Sequence, residues 1–166
     1  VVKDLRPKNT KAYIFPSTVT ECGGDGRIER IPGEAAYRCV SRDSGAMHRQ
    51  RLYHLVSKQA LNIDGVGPKN IDAFLDHGLI NSYADLFTLT PGDIKDLPGF
   101  KDKSAENIVS AIKAASHTQL HQLLIGLSID GVGEETARLL ADRFGSLEAL
   151  RKADEAAIAA IHGIGD

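Results

Sequence analysis

One short motif recurs four times along this chain at nearly even spacing. Each copy reads apolar-x-Gly-apolar-x with Gly or Lys at the last position, and consecutive first glycines are 34, 32 and 32 residues apart. This period constrains the fold more than any other feature, because a regularly repeated unit packs against its own copies. The four copies are Ile63–Gly67, Leu97–Lys101, Ile129–Gly133 and Ile161–Gly165.

Each copy lies between two stretches of helical periodicity. Apolar residues at 120, 123, 124 and 127 precede the third copy, and those at 137, 140, 141 and 144 follow it. The unit is therefore helix, tight hairpin, helix, and glycine at two positions of the turn permits positive φ and the close approach of another backbone. The predicted helices span roughly 47–61, 68–77 closed by Gly78, 82–88, 91–96 started by Thr90 and Pro91, 103–115, 118–128, 134–144 closed by Gly145, 146–152 and 154–161.

A hairpin of this shape points the free backbone N–H groups of its second helix outward. Those donors and the positive end of the helix dipole form an anion site, and the natural repeated anion is a phosphodiester. A single Gly-x-Gly is more often an ordinary helix connection, but four copies in register favour binding of a nucleic-acid backbone without sequence readout. We expect some copies to serve packing alone.

The first part of the chain differs from the rest in charge and in pattern. Residues 1–58 hold eleven Lys or Arg against six Asp or Glu, a net charge of +5, whereas the remainder carries −7. DNA binding by the helical part therefore requires the basic residues beside the hairpins to face the strand and the acids to lie outside; a merely solvated charged face is the alternative. The turn-rich pattern from Pro16 to Arg42 predicts a short β-ribbon.

Composition bounds the class of protein. With 166 residues and 42% hydrophobic residues, the chain is predicted to be globular, without the run of about 18 apolar residues that a membrane span needs. Because it begins with Val1 and stops where the fourth hairpin enters its second helix, we expect a piece of a longer protein.

Three further motifs accompany the hairpins in a fixed order, namely Gly33–Cys39, Tyr53–Lys58 and Lys103–Asn107. Together with the hairpins they resemble the C-terminal half of bacterial NAD-dependent DNA ligases, over almost the whole chain. The resemblance implies a mainly α fold in three parts. These are the end of an OB-fold with a linker (1–15), a degenerate zinc-finger-like ribbon (16–46) and a four-copy helix-hairpin-helix domain (47–166) with its fourth copy truncated.

The finger-like segment departs from the family pattern of four zinc-binding cysteines. The corresponding positions are Val19, Cys22, Cys39 and Ser44, and neither Val nor Ser is a good zinc ligand. Since His48 would raise the donor count only to three, we expect no metal. We expect Cys22 and Cys39 to be small buried thiols, or neighbours in a ribbon held by other contacts; a disulfide is geometrically possible but is not expected in a cytosolic protein.

The resemblance also implies a function. The parent enzyme would use NAD and Mg to join a nick, with its adenylated lysine outside this segment, so we expect no catalytic residue and no bound cofactor here. The segment would grip nicked double-stranded DNA through backbone phosphates during replication and repair, as part of a cytoplasmic monomer without membrane contact and together with other domains of the same chain. The residues expected at the DNA are Gly65, Val66, Gly67, Lys69, Gly99, Phe100, Lys101, Lys103, Ser104, Gly131, Val132, Gly133, Thr136, Gly163, Ile164 and Gly165.

Two alternatives remain open at this point. Tandem hairpins also occur in DNA-repair nucleases and junction-binding modules, and an acidic helical array is compatible with a protein-interaction scaffold. Lys101 adds a question of geometry, because it replaces the last glycine of the second hairpin. Either this position has a conformation open to other residues, or the second turn differs in shape.

Overall fold

The computed structural model describes residues 11, 13–22, 25–33, 36–41 and 45–164. The chain divides into two compact units between His48 and Arg49. The described residues contain nine α-helices and one two-stranded antiparallel sheet, so the mainly α fold with a small ribbon is confirmed. The positions predicted at Ser44 and Gly165, and most of the linker predicted at 1–15, lie outside the described residues.

The helices form close to where periodicity and end signals place them, except that α1 ends at Val56, before the predicted end at 61. The chain turns there, and Asn62 has a positive φ of 47°. Gly78 and Gly145 have φ values of 69° and 70° just beyond two helix ends, and Thr90 is the N-cap before Pro91, as predicted. In the described part of the chain, no helix combines the length and apolar character that a membrane crossing requires. The helices are α1 (Gly45–Val56), α2 (Pro68–Asp76), α3 (Tyr83–Leu86), α4 (Pro91–Lys95), α5 (Asp102–Ala115), α6 (Leu120–Gly126), α7 (Glu134–Phe144), α8 (Leu147–Lys152) and α9 (Glu155–Ala159).

The repeated motif folds into the same turn each time. We number the copies hairpins 1 to 4, with hairpin 1 between α1 and α2, hairpin 2 between α4 and α5, hairpin 3 between α6 and α7, and hairpin 4 after α9. The first apolar residue accepts a backbone hydrogen bond from the second, and the glycine between them has positive φ, as the third position of a type II turn requires. The bonds are Val66 to Ile63 (3.2 Å), Phe100 to Leu97 (3.2 Å), Val132 to Ile129 (3.0 Å) and Ile164 to Ile161 (3.1 Å), with φ of 71°, 88°, 80° and 96° at Gly65, Gly99, Gly131 and Gly163.

Two hydrophobic clusters hold the helical unit together, and each contains two hairpins. The first cluster includes Phe74 and Ile94 and takes buried residues from α1 to α5. The second is much smaller, with Leu124, Ala137 and Leu140 as its buried members. We call α2–α5 with hairpins 1 and 2 the first tandem, and α6–α9 with hairpins 3 and 4 the second tandem.

Helix α1 packs against the start of the second tandem as well as the first. A ring nitrogen of His54 lies 3.0 Å from the carbonyl oxygen of Ile125. A methyl group added at Gly126 would lie 2.9 Å from a methyl carbon of Leu55, so glycine permits the close approach of α6 to α1. His54 therefore links α1 to α6 through a side-chain hydrogen bond.

The ribbon contains strands β1 (Ile28–Arg30) and β2 (Tyr37–Cys39), preceded by a 3-10 turn (Thr20–Cys22). The two strands are antiparallel, with Ile28 opposite Cys39. Cys22 and Cys39 form a disulfide with their Cα atoms 5.4 Å apart, so the expectation of two free thiols was wrong. The strand register and the 3-10 turn bring the two Cα atoms into the range that a disulfide needs, which the sequence separation alone does not reveal.

Candidate nucleic-acid interface

Hairpins 1 and 2 open onto one groove. Its cavity volume is about 530 Å³, and residues of both hairpins line it. Helices α2 and α5 begin at this groove, so the positive ends of two helix dipoles meet at one place. The polar lining comes from Lys69 and Asn70 beside hairpin 1 and from Ser104 and Asn107 beside hairpin 2.

The helices that follow hairpins 1 to 3 have no side chain capping their first amides. The N-caps of α2, α5 and α7 make no side-chain hydrogen bond to the helix start. By contrast, Ser82, Ser146 and Asp154 accept hydrogen bonds from the first turns of α3, α8 and α9. Helices α4 and α6 also lack a side-chain hydrogen bond from their N-caps, but α2 and α5 are the ones that begin at the shared groove. Because the first amides of a helix have no partner within the helix, these two helices offer donors to an anion in the groove.

The last position of hairpins 1 to 3 does not need glycine for conformational reasons. Gly67 and Gly133 have extended backbones, with φ of −122° and −84°, so in these hairpins positive φ is confined to the first glycine. Lys101 adopts the same extended conformation, with φ of −132°, which answers the question that its presence raised. A methyl group at Gly67 or Gly133 would also meet nothing within 4 Å, so only an external partner would be hindered by a side chain there.

Side-chain hydrogen bonds hold the two turns of the groove in place. The amide nitrogen of Asn70 donates to the carbonyl oxygen of Gly65 over 2.6 Å. The Ser104 hydroxyl accepts from the backbone N–H of Lys101 at 2.9 Å and donates to its carbonyl oxygen at 2.8 Å. Ser104 therefore braces hairpin 2, while Lys69, Lys101 and Lys103 are exposed beside the groove.

The second apolar residue of each hairpin faces the protein interior. Val66 is 6% exposed, Phe100 packs against the first cluster, and Val132 and Ile164 pack against the second. Their backbone N–H groups are already engaged in the turns. These four residues were expected at the DNA. Their side chains fix the turns to the hydrophobic clusters, and their backbone N–H groups close the turns.

Hairpin 3 has the same turn but an acidic surrounding. Glu134 and Glu135 occupy the first turn of α7, and Arg138 pairs with Glu134 at 2.7 Å. Asp130 and Glu134 line a separate cavity of about 670 Å³. Two carboxylates at a helix start compete with an external anion for the same dipole, so this surrounding suits a phosphate less well than the groove of the first tandem. Thr136, also expected at the DNA, is half-buried in this first turn of α7.

A cluster of polar side chains joins α1, which precedes hairpin 1, to α2, which follows it. Asp72 accepts hydrogen bonds from both Arg49 and Tyr53, and Arg49 also reaches Asp76 at 2.9 Å. The hydrogen bonds from Tyr53 and Arg49 lower the pKa of Asp72, whereas burial raises the pKa of Tyr53. This cluster fixes the direction in which α2 leaves the groove.

Comparison with known proteins identifies both halves of the helical unit. Residues 57–114 match the family described as a SAM-like helix-hairpin-helix tandem, and residues 122–166 match the helix-hairpin-helix motif. The DNA ligases of Limosilactobacillus fermentum and Symbiobacterium thermophilum are each 40% identical to this chain over 99% of its length, and that of Syntrophobacter fumaroxidans is 34% identical over all of it. Over its whole length the chain matches a segment of DNA ligases, and its helical part carries helix-hairpin-helix motifs. The chain spans about a quarter of the length of these relatives, since the matches cover 24% of each.

The two family matches coincide with the two tandems of the helical unit. The first match ends at residue 114 and the second begins at residue 122, on either side of the connection between α5 and α6. A signal for this pairing exists in the sequence, because hairpins 1 and 3 share Ile-Asp-Gly-Val-Gly and hairpins 2 and 4 do not. Asn62 and Ser128, just before hairpins 1 and 3, also share a positive φ, of 47° and 52°.

Two polar residues of the groove were not predicted from the sequence. Asn70 and Asn107 line it; Asn107 ends the Lys103–Asn107 motif, but the local pattern around neither residue indicates a place in a groove. Their role depends on the approach of hairpin 1 to hairpin 2, which is a matter of tertiary packing.

Proposed function

We propose that this segment is the DNA-gripping part of an NAD-dependent DNA ligase. It holds nicked duplex DNA through backbone phosphates while other domains of the parent enzyme seal the nick during replication and repair. The observation that carries this proposal is the groove of the first tandem, where two helices without side-chain caps begin beside exposed lysines. Contacts of this kind position a duplex without reading its sequence.

The chemistry of the groove fits a phosphodiester oxygen. Backbone amides at the start of α2 and α5 supply directed donors, and Lys69 and Lys101 supply charge that needs no fixed geometry. Gly67 has no side chain, so a phosphate has room to reach the amides. Neither its φ nor its neighbours within the protein require glycine at this position. The secondary contacts to DNA in this proposal are Gly131 and Gly133 of hairpin 3 and Gly163 of hairpin 4.

The catalytic chemistry belongs to the parent enzyme in this proposal. NAD would donate the adenylyl group and Mg²⁺ would assist its transfer, both outside this segment. The segment itself contributes position and charge, as part of a cytoplasmic monomer. Two carboxylates and an exposed Ile129 at hairpin 3 are what a protein-interaction scaffold would offer instead, and the test below distinguishes the two functions.

The test is a fluorescence-anisotropy titration of the segment with nicked duplex, intact duplex and single-stranded DNA at several salt concentrations. We expect both duplexes to bind, with log K falling linearly with log salt, because each phosphate contact releases condensed counterions. Failure to bind duplex at low salt, or affinity that does not change with salt, would contradict the proposal. Salt-independent capture of a protein partner would favour the scaffold.

Two lysine variants locate the contact. Lys69→Met removes a charge that lines the groove, and Lys113→Met removes one from the last turn of α5, about 17 Å along the helix from its start. We expect Lys69→Met to reduce the magnitude of the salt slope by about 1 and Lys113→Met to leave it unchanged. Equal effects of the two variants would mean that the groove is not the site.

A further inference from the structure

In the part of the ribbon that the structure describes, almost no side chain is buried. Among the described residues from 11 to 41, Cys22 and Gly26 are the buried ones, and the rest are half-buried or exposed. Both hydrophobic clusters in the described part of the chain consist of residues from 52 onward. A small β-ribbon without an apolar core is marginal in water, and natural domains of this size depend on disulfides or metals.

Short backbone pairings and a ring stack connect the described segments of the ribbon. Strands β1 and β2 pair over three residues each, and Thr18 forms a single bridge with Arg27. The rings of Phe15 and Tyr37 stack with centroids 3.9 Å apart, but both side chains are at least 40% exposed. These interactions hold neighbouring segments in pairs and enclose no apolar volume.

The disulfide provides the connection that the core does not. Cys22 belongs to the 3-10 turn between the Thr18 and Arg27 bridge partners, and Cys39 ends β2. The bond closes a loop that contains β1, with a sequence separation of 17 residues between the two cysteines. It therefore lowers the conformational entropy of the unfolded ribbon, which stabilises the folded ribbon. Within the residues that the structure describes, no three His, Cys, Asp or Glu side chains are grouped to hold a metal ion instead.

We propose that thiol–disulfide exchange at Cys22–Cys39 switches the ribbon between an ordered and an open state. A thiolate of a dithiol reductant attacks one sulfur and forms a mixed disulfide, releasing the other cysteine as a thiolate. The second thiol of the reductant then displaces the remaining cysteine, so that two cysteine thiols and one oxidised dithiol result. Cys39 is half-buried and Cys22 is 4% exposed, so we expect the attack to begin at Cys39.

The helical unit is independent of this switch because it has its own clusters. Reduction therefore opens the ribbon and leaves the hairpin helices folded, and in a reducing cytoplasm the ordered ribbon is the form that oxidation produces. The inference does not rest on DNA binding, so its test needs no nucleic acid.

The experiment compares limited trypsin digestion of the oxidised chain and of the chain held in excess dithiothreitol, with cleavage followed by mass spectrometry. Arg27, Arg30 and Arg38 are cleavage sites within the ribbon. We expect cleavage at these sites to be about tenfold faster after reduction, because proteolysis follows the population of the open form. Hydrogen exchange in α5, which contributes Ile108 and Val109 to the first cluster, should not change.

The double variant Cys22→Ser and Cys39→Ser provides the matched control. Without any reductant it should be cleaved as rapidly as the reduced chain, and dithiothreitol should have no further effect on it. Cleavage rates that agree within about twofold between oxidised and reduced chains would overturn the proposal. So would restored protection of the reduced chain by added Zn²⁺, since a metal would then be the brace, or an oxidised chain whose mass shows two free thiols.

Discussion

The two tandems build the same turns into different surroundings. In hairpin 1 the first apolar residue, Ile63, is 4% exposed and belongs to the large first cluster, whereas its counterpart in hairpin 3, Ile129, is 44% exposed. The turn bond and the positive φ are nevertheless alike in both. The five-residue motif therefore determines the backbone of the hairpin, and residues outside it determine how deeply the hairpin is buried.

The residues that follow each hairpin differ even more. Lys69 and Asn70 follow hairpin 1, but Glu134 and Glu135 follow hairpin 3. Both pairs occupy the first turn of a helix without a side-chain cap. One tandem thus offers an anion donors and positive charge, and the other offers donors next to negative charge. The repeats share one turn geometry but are unequal as binding units.

The largest expected difference between the tandems is in core stability. Phe74 and Leu140 occupy matching positions, nine residues after the first glycine of hairpins 1 and 3, and they are 0% and 6% exposed. We expect Phe74→Ala to lower the free energy of unfolding by about 3–5 kcal/mol, and Leu140→Ala by about 2 kcal/mol because its smaller cluster can relax around the cavity. Urea unfolding followed by circular dichroism measures both values. A larger loss for Leu140→Ala would show that the second tandem is the more tightly packed one.

The next largest effect concerns access to the helix amides. Gly67→Val and Gly133→Val each introduce a side chain at an extended position with no neighbour within 4 Å, so neither should change the melting temperature appreciably. We expect Gly67→Val to weaken duplex binding about tenfold, since a charge-assisted hydrogen bond is worth about 1.5–3 kcal/mol. Gly133→Val should weaken it much less, as anisotropy titrations at low salt would show. Equal losses would mean that both tandems grip the duplex alike.

The sequence predicts the parts of this fold that local chemistry determines. The four turns could be located because the third position of a type II turn favours glycine, and the glycines at that position are Gly65, Gly99, Gly131 and Gly163. Gly78 and Gly145 mark helix ends for a similar reason. The nine helices in the described residues could be placed from these signals and from periodicity.

The shared groove and the disulfide could not be predicted in the same way. The groove needs hairpin 1 beside hairpin 2, and this arrangement follows from the packing of the first cluster. The pairing of Cys22 with Cys39 depends on strand register and on a 3-10 turn, and the rarity of disulfides in the cytosol argued against it. Val66 and Phe100 were expected at the DNA as members of the hairpins, and the structure adds that their side chains pack in or against the first cluster.

Removing the negative charge at hairpin 3 should make the tandems more alike. We expect the double variant Glu134→Gln and Glu135→Gln to bind duplex about threefold more tightly at low salt, because two exposed carboxylates no longer repel phosphate, and to match the original chain at high salt. Asp142→Asn is the control, since Asp142 lies on the same helix about 12 Å from its start. An equal gain from Asp142→Asn would indicate a general charge effect and no special role for hairpin 3.

The smallest expected effect is a difference between the tandems in how the free energy of unfolding depends on pH. Hydrogen bonds from Tyr53 and Arg49 lower the pKa of Asp72, so the ionised carboxylate contributes stability above its ordinary pKa, near pH 4, and loses it as the pH falls through the lower folded value. Because Asp72 and Arg49 are 40% and 34% exposed, Asp72→Asn should cost about 0.5 kcal/mol at pH 7 after solvent screening. That difference from the original chain should shrink below about pH 4 in urea unfolding experiments.

The matching ion pair of the second tandem provides the control. Glu134→Gln disrupts a pair whose side chains are 62% and 69% exposed, and we expect almost no change in the free energy of unfolding at pH 7. A difference for Asp72→Asn that persists unchanged at pH 3 would show that the Asp72 cluster stabilises α2 through packing and not through charge.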